Sequence, residues 1–185
     1  ASDLDFSTCE SFNLDEYVGL GPEHTGSYQY YMEENFFSGV NILRENCHIP
    51  NGLAPCLQTE CDTYEKQITE AGKLDFLVLG IGENGHIGFN EPGTAFDSRT
   101  HVVELTPSTR EVNARFFESM DEMPKEALTM GLATIMDAKE IILLVQGERK
   151  APILKEVIHG PVTEDVPASI LQEHPNITVI TDLDL

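Results

Sequence analysis

The segment richest in reactive groups is residues 80–92, GIGENGHIGFNEP. Four glycines, Gly80, Gly82, Gly85 and Gly88, surround one imidazole, His86, and one carboxylate, Glu91. Glycines permit close backbone approach and positive φ. A carboxylate near an imidazole fixes which ring nitrogen carries the proton and leaves the other to move a proton at a substrate oxygen. The five-residue step from His86 to Glu91 does not by itself establish contact. Asn84 can orient a neighbour or a substrate but cannot serve as a carboxylate base. The structural alternative is a tight turn with solvated polar groups, its histidine donating to a loop carbonyl. Gly80, Gly82 and Gly85 match G-x-G-x-x-G literally, yet His-Ile-Gly-Phe-Asn-Glu-Pro follows with little helical character, which argues against a dinucleotide site.

A second candidate is SFNLDEY at residues 11–17, where Asp15 and Glu16 are adjacent. In an extended segment, neighbouring side chains point to opposite faces, so one carboxylate can enter a cleft while the other leaves it. With 32 acidic residues in the chain, a surface role for either is the plain alternative. Cations are scarce: 11 Lys and Arg give a formal charge of -21, which disfavours DNA, RNA and acidic membrane surfaces as partners. One small anion remains feasible if several of Arg99, Arg110, Arg115, Arg149 and Lys150 converge. Cys9, Cys47, Cys56 and Cys61 form no C-x-x-C pair, so free thiols and no structural metal are expected. No spanning segment or secretory signal is visible in the chain as given, which reads as cytoplasmic.

The elements that must position these residues follow from hydrophobic periodicity. Strands are predicted at 74–81, 140–146 and 177–182, the first reading LDFLVLGI, a run that implies burial on both faces. Helical spacing marks 25–40, 61–71 with Gly72 as a stop, 108–119, 125–134 and 148–158, while 48–55 is turn-rich. This alternation predicts an α/β fold with a parallel sheet covered by helices, in which ligands gather beyond the carboxyl ends of the strands.

The segments SFNLDEYVGL, LDFLVLGIGENGHIGFNEPG, STREVNARFF and ALTMGLATIMDAKEIILLVQGERKA resemble the glucosamine-6-phosphate deaminases of the glucosamine/galactosamine-6-phosphate isomerase family, over essentially the whole chain. The resemblance implies a single deaminase domain over residues 1–185: a three-layer, Rossmann-like, mostly parallel sheet with helices on both faces. It implies conversion of glucosamine 6-phosphate and water to fructose 6-phosphate and ammonia with no cofactor or metal. Asp15 would take the proton from C2 and return it at C1, and His86, partnered by Glu91, would open the pyranose ring. Arg115 and Lys150 would hold the phosphate. Asn84 stands where many relatives have aspartate. His101 stands where the allosteric hexamers have arginine, which implies a monomer or small homo-oligomer without that activation. Against the family pattern, a first strand and a phosphate loop are expected to be missing at the amino terminus, leaving room for a complementary segment. The alternatives are a 6-phosphogluconolactonase-like enzyme, whose corresponding loop usually ends Gly-His-Thr-Ala-Ser, and an inactive sugar-phosphate binding module.

Overall fold

The computed structural model describes residues 4–114, 117, 119 and 122–184. The chain forms two compact units, Ala1–Tyr64 with Val102–Thr129, and Glu65–His101 with Met130–Leu185.

In the first unit, β1 (Ser11–Phe12) pairs in parallel with β3 (Cys47–His48). β2 (Asp15–Tyr17) runs antiparallel to β6 (Glu126–Thr129), and β5 (His101–Glu104) lies on the other side of β6. Helix α1 (Tyr28–Asn35) begins at Ser27, whose hydroxyl accepts the Tyr30 N–H at 3.0 Å. Helix α2 (Leu57–Glu70), which belongs to this unit only as far as Tyr64, carries that residue fully buried, its hydroxyl donating to the carbonyls of Asn13 and His48 at 2.8 and 3.2 Å. One phenol thereby pins the β1 and β3 ends. The α2 stop expected at Gly72 is present: its φ of 88° lets the Lys73 N–H reach back to the Ile68 carbonyl at 2.9 Å. Helix α3 (Pro107–Asn113) starts with Thr106 accepting the Thr109 N–H.

In the second unit, β4 (Leu77–Leu79), β7 (Ile141–Val145) and β8 (Ile177–Thr181) form a parallel sheet in the order β4-β7-β8. Leu77, Leu79, Ile141, Leu143 and Val145 point into the core, which also takes Leu154 and Leu171. Helices α4 (Leu132–Met136) and α5 (Ala151–His159) complete the unit, α5 burying Ile153, Leu154 and Val157. The strands are shorter than their apolar runs. The alternate residues Val78, Leu144 and Ile180 remain 45, 43 and 50% exposed, so the expected burial of 74–81 on both faces is not what the structure shows. The run alternates inward and outward despite its uniform composition, because side-chain period in a strand is set by the pleat.

A second difference lies at 125–134, read from the sequence as a helix. Residues Glu126–Thr129 are strand, and the helix begins only after Gly131. Lys-Glu-Ala-Leu has good helix propensity, but pairing with β2 and full burial of Ala127, Leu128 and Thr129 override it. Gly131 cannot carry a side chain, since a Cβ there would collide with the carbonyls of Ser98 and Arg99.

The fold is therefore three-layer α/β, with parallel pairing in β1–β3, β4–β7 and β7–β8 and antiparallel pairing in β2–β6. All four cysteines are free thiols. Among the described residues no helix is long and apolar enough to cross a membrane.

Candidate active site

The 80–92 loop leaves the carboxyl end of β4. Its first turn closes through the Gly85 N–H on the Gly82 carbonyl at 3.0 Å and the Gly82 N–H on the His86 carbonyl at 2.9 Å. Gly85 adopts φ 86°, and a Cβ there would meet the Val166 side chain. At the far end, fully buried Asn90 donates its amide to the carbonyls of Ile87 and Met130 at 2.9 and 2.8 Å, fastening the loop to the segment before α4.

This turn assembles three residues into one hydrogen-bonded chain. Asn84 donates its amide to Glu91 Oε2 at 2.7 Å, and Asn84 Oδ1 lies 2.7 Å from His86 Nδ1. The same Oδ1 accepts the backbone N–H of His86 at 3.2 Å, which fixes that atom as the oxygen. Nδ1 must then be the donor, leaving Nε2 as the nitrogen free to exchange a proton with a ligand. Glu91 Oε2 is 3.6 Å from Nδ1, beyond hydrogen-bond reach, so Glu91 orients the ring through Asn84 rather than directly. The glycine pattern has a concrete cause here, since a Cβ on Gly82 would overlap the imidazole. Gly82→Ala is expected to swing His86 off Asn84 and lower kcat by about 10²-fold, the worth of one positioned acid–base group. Steady-state rates checked beside a thermal melt test this; wild-type turnover with an unchanged Tm would contradict it.

Asp15 belongs to the first unit. It is half-buried on β2, and burial, then the charge of Glu16, pushes its carboxyl up to about 7. A carboxylate held near neutral pH is suited to take a proton from carbon and give it back. Beside it, Tyr17 and Tyr28 stack with ring centroids 5.1 Å apart and planes 14° apart. Burial, reinforced by the Asp15 charge, raises the Tyr28 phenol, which keeps it a neutral donor.

Lys150 ends a short turn, Glu148–Lys150, at the N-terminus of α5. With Gln146, Thr181 and Asp182 it lines a cleft of about 520 Å³ beyond the carboxyl ends of β7 and β8. Its ammonium forms no ion pair with a carboxylate among the described residues, whereas Arg99 is committed to Asp137 at 2.6 Å. Arg115, the other expected phosphate ligand, lies outside the described residues. The structure thus brings Asn84, His86 and Glu91 together and sets Lys150 beyond the strands of the same unit. Sequence reasoning missed two residues that hold these groups, Glu16 and Asn90. The helix-end partners of Glu16 lie a dozen residues away, where no local signal reaches; the Asn-Glu-Pro turn after Phe89 is a usable hint for Asn90.

Comparison with known proteins identifies the family. The family model for glucosamine-6-phosphate isomerases/6-phosphogluconolactonase matches residues 1–180. A glucosamine-6-phosphate deaminase of Shouchella clausii is 55% identical over 177 residues, 96% of this chain and 72% of that protein. One from Lactobacillus delbrueckii subsp. bulgaricus is 56% identical over 182 residues, covering 98% and 76%. Among solved structures, a monomeric glucosamine-6-phosphate deaminase superposes with a TM-score of 0.94 at 47% identity, over 97% of this chain and 74% of that one. The 6-phosphogluconolactonase of Thermotoga maritima gives 0.75 at 18% identity, covering 97% and 75%, a likeness of fold alone. With a near-complete family match and relatives above half identity, the chain belongs to the glucosamine-6-phosphate isomerase/6-phosphogluconolactonase family.

Proposed function

We propose that the protein is an isomerising deaminase that converts glucosamine 6-phosphate and water to fructose 6-phosphate and ammonia. The observation that carries this reading is identity of 47–56% to glucosamine-6-phosphate deaminases, against 18% to the lactonase. His86, with Nδ1 held by Asn84, uses Nε2 to carry a proton from the anomeric hydroxyl to the ring oxygen, opening the pyranose. Asp15 then removes the C2 proton, giving the enolamine, and returns it at C1 to form the ketimine. Water adds to the ketimine, and ammonia leaves. Every step moves protons or water, with no change in overall redox state. The phosphate is bound by Lys150, helped by the N-terminal end of α5, and by Arg115.

The protein is further read as one deaminase domain, a monomer or small homo-oligomer, acting in the cytoplasm, where a charged phosphosugar is retained. The test is direct: purified protein given glucosamine 6-phosphate is expected to release ammonia and fructose 6-phosphate in equal amounts. Hydrolysis of 6-phosphogluconolactone without ammonia release would instead establish the lactonase reading. Binding of the amino sugar phosphate without turnover would leave only a binding module.

A further inference from the structure

Glu16 is a charged residue the mechanism above leaves unused, and it is only 2% exposed. Its carboxylate is bound at short range on both oxygens. Oε1 accepts the backbone N–H of Tyr17 at 2.8 Å and of Tyr28 at 3.0 Å, and Oε2 accepts the N–H of Gln29 at 2.9 Å. Tyr28 and Gln29 are the first residues of α1, whose orphan N–H groups and dipole favour a negative charge. Burial raises this carboxyl, and the three backbone donors work against that by favouring the ionised form. A strand residue thus supplies part of the cap of a helix that starts twelve residues later.

We propose that Glu16 is a positioning residue for Asp15, tying β2 to the first turn of α1 and placing a second buried negative charge beside the base. The inference rests on the reading of Asp15 as the C2 base. Adjacent strand residues face opposite ways, so the three bonds that immobilise Glu16 also fix the direction in which Asp15 leaves the strand. The same bonds hold the charge in place, and a like charge nearby disfavours ionisation of Asp15. Among the described residues the charged and titratable groups around Glu16 are few. Asp15 and the Tyr17 phenol come from its own strand, the Tyr28 phenol from α1, and the His24 imidazole from the turn before α1. His24 is tied by its Nδ1 to the Gly26 N–H at 3.0 Å. A positive charge on His24 offsets the Glu16 charge, so wild type and variants are compared at matched pH.

The test is the pH dependence of kcat/KM together with a carboxyl-carbon NMR titration of Asp15, in the wild type, Glu16→Gln and Glu16→Asp. Glu16→Gln removes the charge and turns one acceptor into an amide facing the Gln29 N–H. Its acid limb and its Asp15 titration are expected to move about one unit to lower pH, with kcat down about tenfold. Glu16→Asp keeps the charge but draws it back from α1, so turnover is expected to fall while the limb stays near its wild-type position. A uniform rate loss in Glu16→Gln, with limb and titration unmoved, would show Glu16 to be a helix cap only. If Glu16→Gln fails to fold, Glu16→Asp decides alone: wild-type turnover, or a limb displaced to lower pH, overturns the proposal. Failure of the underlying reading has a separate signature, a wild-type acid limb that does not coincide with the Asp15 titration.

Discussion

Asp15→Asn is expected to reduce kcat by about 10²–10⁴-fold, the usual worth of a positioned base, while phosphate binding persists. The amide keeps the size of the carboxyl and part of its hydrogen bonding, so the loss belongs to proton abstraction. Run in deuterated water, the wild type is expected to exchange the C2 hydrogen with solvent during turnover, and the variant to lose that exchange. Exchange at the wild-type rate in Asp15→Asn would remove Asp15 from the role. The wild-type pH profile follows from the raised carboxyl, which is about 7 in the fold. Below that value the group is protonated and cannot accept the C2 proton, so kcat/KM falls as pH drops through about 7. The effect on stability has the opposite sense. A group whose folded value lies above its unfolded one binds more protons folded than unfolded, so its contribution is fully present below about pH 4 and is lost as pH rises to about 7. Asp15→Asn is therefore expected to raise Tm relative to the wild type above pH 7 and to leave it nearly unchanged below pH 4. A residue that costs stability in the state that works is what a base forced into a half-buried position predicts.

How far the sequence foretells this site depends on the separation of its parts. His86 and Glu91 fall within one loop after an apolar strand, so their place at a strand end is readable from order alone, whereas contact between them is not. That they meet through Asn84, and not directly, depends on Gly82 and on the positive φ of Gly85, which fold the loop so that an amide fits between. Composition carries no trace of that geometry. The same limit explains β6. Residues 125–128 favour helix locally, and pairing with β2 on one side and β5 on the other makes Glu126–Thr129 strand. The helical character of 125–128 also conceals the setting of Asp15, because it hides the strand that partners β2. The apolar run at 74–81 misled in a milder way, since uniform hydrophobicity erases the alternation that distinguishes Leu77 and Leu79 from Val78. The helix stop at Gly72 and the polar capping at Ser27 and Thr106 are set by a few consecutive residues and need no distant partner.

His86→Gln is expected to fail at a different step from Asp15→Asn. Glutamine can accept or donate a hydrogen bond but cannot pass a proton from one site to another, so the variant loses the transfer between the anomeric hydroxyl and the ring oxygen. It also loses the Nδ1 donor that engages Asn84, which releases the amide from one of its three loop contacts. The expected fall in kcat/KM is about 10²-fold, at the lower end of the range for acid–base groups, because a small fraction of the sugar opens unaided in water and reaches Asp15 already linear. The order of steps supplies the check. With ring opening slowed, abstraction of the C2 proton no longer limits the rate, so substrate deuterated at C2 is expected to show an isotope effect on kcat closer to unity in His86→Gln than in the wild type. Asp15→Asn is expected to shift the effect the other way wherever residual turnover can be measured, since abstraction then dominates. An isotope effect larger in His86→Gln than in the wild type would place His86 at the C2 step instead, and the division of labour between the two residues would have to be redrawn.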